Sequence, residues 1–169
     1  MSAANLVLIG FMGSGKSSAG RLLAKARGLY FLDTDSMIES LEGKDISKIF
    51  ADEGEEHFRL LELKTVQWLK NSVKNAVIST GGGMVTHCEG LKEVGRIIYL
   101  NLPFEAILSR LDAFELAKRP LFSDVKKAEQ MYRERHAIYT KKADIIIDAE
   151  ADIQSVLTRV CAEIDAADL

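Results

Sequence analysis

The chain has 169 residues, 47% of them hydrophobic and 28% charged, which suits one domain with a sizeable core. Its formal net charge of −3 argues against a dedicated nucleic-acid binder, because such a protein carries a basic face.

In chain order, Leu6 to Ile9 is an apolar run without alternation, as expected for a strand covered on both faces. Ser17 to Arg27 reads as a helix and Leu29 to Leu32 as a second strand. Ser36 to Glu42 and Ile46 to Asp52 read as short helices separated by Gly43. From Glu55 to Lys70, Phe58, Leu61, Val66 and Leu69 share one broad helical face. Ala76 to Ser79 reads as a third strand, ended by Gly81, Gly82 and Gly83, and a helix is expected to open at His87-Cys88. Ile97 to Leu100 is the fourth strand, followed by a helix from Pro103, a residue suited to a first helical turn. Residues 112–124 are irregular and polar. Lys126 to Lys142 reads as a helix, Ile145 to Ile147 as a fifth strand, and Ile153 to Ile164 as a closing helix. Strands alternating with helices imply a parallel sheet covered on both sides. No repeat or low-complexity linker divides residues 1–169.

Gly10-Phe-Met-Gly13-Ser14-Gly15-Lys16-Ser17 matches Gly-x-x-x-x-Gly-Lys-[Ser/Thr] between a strand and a helix. Glycines let the backbone wrap closely around phosphate, and successive N–H groups form an anion nest. The helix start adds its positive end. Lys16 is then expected on the β- and γ-phosphates, and the Ser17 hydroxyl in a Mg2+ shell. This context points to a P-loop kinase acting on a small molecule.

Three further features give the loop an acceptor. Asp33 and Asp35 flank Thr34 just after the second strand. Positions two apart in an extended segment share a face, so both carboxylates can point toward the carboxyl end of the sheet, where such sheets place ligands. One would orient Mg2+ waters and the other would accept a hydroxyl proton; alternatively, Asp35 caps the next helix. Three glycines after Thr80 let a ligand lie against bare backbone. Arg119-Pro120 lies in the polar segment 112–124, whose length and charge suit a mobile lid. An arginine there would neutralise charge on a transferring phosphoryl group, or be an ordinary solvated side chain.

Taken together, these residues resemble the shikimate kinase family. The resemblance runs from Leu6 to about Asp148 and rests on the phosphate loop, Asp33-Thr34-Asp35, Ile49-Phe50, Gly54-Glu55, Phe58-Arg59, Gly81-Gly82-Gly83, Arg119-Pro120-Leu121, and Arg135 followed by Tyr139. It implies a three-layer α/β/α P-loop kinase fold with a five-stranded parallel sheet. It also implies transfer of the ATP γ-phosphate to the 3-hydroxyl of shikimate, a step toward chorismate and the aromatic amino acids. In those terms Asp35, Arg59, Gly82 and Arg135 hold shikimate, and Lys16, Asp35 and Arg119 are catalytic. Gly13, Ser14, Gly15, Lys16, Ser17, Ser18, Arg110 and Arg119 hold the nucleotide, with Arg110 against the adenine. Ser17, and Asp33 through water, hold Mg2+.

Elementary chemistry agrees with this assignment. Two planar guanidinium groups, Arg59 and Arg135, match the carboxylate of a small hydroxylated acid. Glu62, close to one turn beyond Arg59, either holds that arginine or is solvated. Phe50 and Phe58 either wall the ring or belong to the core. The chain departs from many relatives in having Ser18 in place of threonine and no arginine within Ile147 to Ala151. No Asp-ended strand stands beside the loop; Ser79 occupies that place and shifts weight onto Asp33.

Gluconate kinase and nucleotide kinases are the nearest rivals, and the Asp33-Thr34-Asp35 and Arg119-Pro120-Leu121 combination leans away from both. A GTPase switch would need an Asn/Thr-Lys-x-Asp guanine reader, and Lys141-Lys-Ala-Asp144 lacks its first residue. His57, His87 and His136 form no metal or catalytic set by spacing. Cys88 and Cys161 form no Cys-x-x-Cys pair, so two reduced thiols are expected. With no secretory-type start and no run long enough to span a bilayer, a cytoplasmic monomer with no membrane partner is expected.

Overall fold

A computed structural model describes residues 5–111 and 120–167. Its centre is a five-stranded sheet in the order β2-β3-β1-β4-β5, with every pairing parallel. The strands are β1 (Asn5–Ile9), β2 (Tyr30–Asp33), β3 (Ala76–Ser79), β4 (Gly95–Asn101) and β5 (Ile145–Asp148). The inner three carry continuous apolar runs, and Val7, Leu8, Ile9, Val77, Ile78, Ile97 and Ile98 are fully buried. Burial on both faces explains the absence of alternation in these segments. The outer strands are partly open: Tyr30 begins β2 exposed, and Ile146 in β5 points outward.

The helices are α1 (Lys16–Arg27), α2 (Thr34–Glu42), α3 (Ile46–Ser72), α4 (Met84–His87), α5 (Leu91–Val94), α6 (Phe104–Arg110), α7 (Val125–Lys142) and α8 (Ile153–Ala167). They leave the sheet covered as a three-layer sandwich, with α1 packed on β2, β3 and α8, and α7 over β4. The two helices expected between Ile46 and Lys70 are one run broken at Gly54, whose φ of 85° only glycine adopts without strain. A small apolar cluster of Ile38, Ile49, Phe58 and Leu61, drawn from α2 and from both sides of that break, stands apart from the main core. Phe58 is thus a core residue there, with the partly buried Phe50 ring against it at 4.8 Å.

Asn5 closes the opposite end of the sheet. Its amide donates to the Val73 and Val94 carbonyls, and its oxygen accepts from the Ala76 N–H. No helix among the described residues is long and apolar enough to cross a membrane.

The topology fixes where ligands go. The chain leaves β1 for β2 on one side, returns through β3, and then crosses to β4 on the other side. The crevice at this switch lies outside the carboxyl end of β1.

Candidate active site

The turn after β1 is held by its own glycines. Gly10 has φ 149°, and a Cβ there would come within 2.9 Å of the Leu100 carbonyl oxygen and 2.8 Å of Ser14 Oγ. Gly15 has φ 89° and precedes the first residue of α1. The left-handed backbone of Gly15 turns the chain into the helix, whose first N–H groups face the cleft. Lys16 is buried along its stem, and its Nζ donates to the carbonyls of Gly10 at 2.8 Å and Phe11 at 3.0 Å. Its charge therefore lies over the loop it belongs to.

Next to the loop, register brings three oxygens together. Asp33 ends β2 directly beside Ser79 at the end of β3. Ser17 Oγ donates to Asp33 Oδ2 at 2.7 Å and lies 3.3 Å from Ser79 Oγ. Asp33 also caps α2, with Oδ1 accepting from the Asp35 and Ser36 N–H groups. The cap of α2 is thus Asp33, and the alternative of Asp35 as cap is overturned. Asp35 lies inside the first turn of the helix rather than on an extended segment. Both carboxylates still line the cleft, but by strand end and helix turn instead of by two-residue alternation.

The cleft has a volume of about 500 Å3 and is bounded by Gly13, Gly15, Lys16, Ser17, Ser18, Asp33, Asp35, Thr80, Gly82 and Arg110, among others. Arg110 stands at its edge, donating to the Ala149 and Ala151 carbonyls at 2.7 and 2.9 Å. It thereby fills the stretch after β5 that has no arginine of its own. Arg119 and residues 112–119 of the expected lid lie outside the described residues; Pro120–Ser123 form one 3-10 turn, and Asp124 caps α7.

Gly82 and Asp35 line the cleft, and Arg59 and Arg135 stand next to that lining, around the three glycines. A side chain at Gly81 would collide with Asp35 Oδ1, and one at Gly82 would lie 3.4 Å from Arg135 Nη1. One at Gly83 would lie 2.7 Å from Arg59 Nη1 and 3.3 Å from Arg135 Nη2. The bare backbone is what lets a carboxylate and two guanidinium groups converge. Thr34 Oγ1 accepts the Gly81 N–H at 3.0 Å, and Tyr139 Oη donates to the Gly82 carbonyl.

The charges here are held by burial and by one another. Asp35 Oδ1 is buried without a hydrogen-bond partner. Burial, followed by repulsion from Asp33, raises the Asp35 carboxyl from 3.8 to about 6, against the pull of Lys16. Glu62 is 1% exposed and pairs with Arg59 Nη1 at 2.7 Å. Burial raises its pKa, and Arg59 and Arg135 oppose that rise. Burial works against the charge on Arg59, but its hydrogen bonds to the Glu62 and Glu55 carboxylates, with their charges, outweigh it. The open choice for Glu62 is settled: it is a buried partner of the arginine, not a solvated residue.

Some features escaped the sequence. Thr34 meets Gly81 across a spacing along the chain that carries no signal; Glu55 stands four residues before Arg59, a helical spacing that could have been read; and Ser79, read only as standing where an aspartate was missing, meets Asp33 through the register of β2 with β3. Cys88 does not open a helix. It sits at the C-terminal end of α4, and burial pushes its thiol up to about 11. Both cysteines are free. The Tyr99 hydroxyl and His136 Nδ1 are hydrogen-bonded at 2.8 Å, and His57 Nε2 lies 2.7 Å from Glu53 Oε2.

A family model described as shikimate kinase matches residues 12–165. The chain belongs to the shikimate kinase family. A shikimate kinase of Helicobacter hepaticus is 46% identical over 156 residues, covering 92% of this chain and 93% of the relative. Among solved structures, the shikimate kinase of Acinetobacter baumannii in complex with shikimate has a TM-score of 0.90 at 33% identity, covering 99% of this chain and 96% of that one. The Aquifex aeolicus shikimate kinase has a TM-score of 0.84 at 35% identity, covering 98% of each chain. As a member of this family, the chain is an ATP-dependent kinase of the shikimate pathway, and the gluconate and nucleotide kinase readings fall away.

Proposed function

We propose that this chain moves the γ-phosphate of ATP to the 3-hydroxyl of shikimate with the acceptor bound among Asp35, Arg59, Gly82 and Arg135. The observation that carries this placement is the convergence of one carboxylate and two guanidinium groups on the bare glycine loop, beside the phosphate cradle. Arg59 and Arg135 clamp the substrate carboxylate, a geometry that guanidinium groups match in a bidentate way. The unpartnered Asp35 Oδ1 accepts a ring hydroxyl and takes its proton. Phosphoryl transfer passes through a loose transition state, so holding the hydroxyl in line matters more than strong basicity at Asp35.

On the donor side, the N–H groups from Gly13 to Ser18 hold the phosphates, and Lys16 lies along the β- and γ-oxygens. Arg110 borders the adenine end, and Arg119 is assigned to neutralise charge on the transferring group. Ser17 and Asp33 fit Mg2+: a hydroxyl and a carboxylate 2.7 Å apart at the cleft floor are the hard oxygen donors this ion takes. When bound there, Mg2+ would supply positive charge that neutralises the phosphate oxygens. The enzyme works as a cytoplasmic monomer.

ADP release from MgATP, followed with shikimate, gluconate, AMP or no acceptor, tests the reading. Shikimate alone is expected to accelerate release. Equal rates with gluconate, or no acceleration by shikimate, overturn it.

A further inference from the structure

Tyr139 belongs to none of the groups that contact substrate, yet it is fully buried at the point where two of them meet. It lies four residues beyond Arg135 in α7, on the same helix face. Its hydroxyl donates to the carbonyl of Gly82. The Gly82 backbone in turn lies against the phosphate loop, since a Cβ there would be 3.6 Å from the Met12 nitrogen and 3.7 Å from the Gly10 oxygen. One hydrogen bond thus ties the arginine-bearing helix to a glycine loop wedged against the cradle.

The ring that carries this hydroxyl has little freedom. It packs on Tyr99 at 5.1 Å, and Tyr99 is held by hydrogen bonds to Asn101 and His136. His136 stacks on Tyr132, whose hydroxyl donates to the Leu102 carbonyl. Three of these links, Tyr139 to Tyr99, Tyr99 to His136 and Tyr132 to Leu102, join α7 to β4 or to the segment after it. The block is therefore a rigid base, and the Tyr139 hydroxyl is its reach into the site.

We propose that Tyr139 is a positioning residue for the acceptor, setting the Gly82 peptide and the Arg135 guanidinium in one fixed relation. The inference rests on the reading of Gly82 and Arg135 as shikimate contacts. Its consequence is selective: loosening the bond shifts the acceptor contacts while the phosphate cradle, held by its own glycines and Lys16, keeps its form.

The test compares three variants of the full chain by steady-state kinetics and ATP titration. Tyr139→Phe keeps the ring and its packing and removes only the hydroxyl. Its KM for shikimate is expected to rise about 10-fold, with ATP affinity changed less than about 2-fold. Tyr99→Phe loosens the base of the block while leaving the bond to Gly82 in place, so its shikimate KM is expected to rise by less than about 2-fold, with ATP affinity as in the parent. An unchanged shikimate KM in Tyr139→Phe, an equal loss for ATP, or the same shikimate effect from Tyr99→Phe overturns the proposal. Arg135→Ala separates the two levels. If it impairs shikimate while Tyr139→Phe does not, the anchor alone is wrong; if Arg135→Ala leaves shikimate KM unchanged, the acceptor assignment fails and the anchor with it.

Discussion

At the phosphate end of the cleft, eight consecutive residues, Gly10 to Ser17, supply the strand exit, the loop and the helix start. At the acceptor end, Asp35, Arg59, Gly82 and Arg135 come from α2, α3, the turn after β3, and α7. In the proposed assignment the first end binds mainly with backbone groups, and its geometry is local. The second binds with groups whose positions depend on how four elements pack. Buried partners hold it: Glu62 for Arg59, Thr34 for Gly81, Tyr139 for Gly82. A loop made from one stretch tolerates change elsewhere, whereas a site assembled from four stretches is sensitive to residues that never touch the ligand.

This contrast is easiest to break at its extremes. Lys16→Met should lower turnover by about 10³-fold or more, because the charge facing the transferring phosphate is gone. Shikimate affinity should stay near that of the parent, and a parallel loss would mean that the two ends are not separate. Asp35→Asn should lower turnover by about 10²- to 10³-fold in a single-turnover assay, the range expected for a positioned proton acceptor. Glu62→Gln should raise the shikimate KM by about 10-fold without moving ATP affinity, since a neutral partner holds Arg59 less firmly.

The smallest effect is one of stability. Because the Asp35 carboxyl is raised from 3.8 to about 6 in the folded chain, the folded state binds its proton more tightly than the unfolded state. Stability is therefore lost as pH rises through this window, and the loss is complete above about pH 6. In metal-free buffer Asp35→Asn should stabilise the protein by about 2 kcal/mol at pH 8 and by almost nothing below pH 4. A gain independent of pH would mean that repulsion and burial at Asp35 are not its source.

Legibility in the sequence follows the same division. The five strands and the phosphate loop were readable because their signals are contiguous: unbroken apolar runs and a fixed glycine spacing. The break at Gly54 was readable as the gap between two helical patterns. The acceptor residues were readable only through the joint occurrence of motifs, since nothing in spacing brings Arg59 to Gly83. The role of Glu62 was open until its burial was known, because a glutamate three positions from an arginine looks the same on a solvated face. Asp33 and Asp35 were placed on the right side of the sheet by an argument that the helix start at Thr34 overturns. Cys88 was put at the wrong end of its helix because three glycines and a short apolar run do not fix where a four-residue helix begins.

The separation of the two ends is tested most directly by calorimetric titration of Arg59→Ala with ATP and, separately, with shikimate. Shikimate binding should fall below detection while ATP affinity stays within about 2-fold of the parent. An equal loss of both would contradict the account, because Arg59 would then belong to the scaffold of the whole cleft and not to its acceptor end.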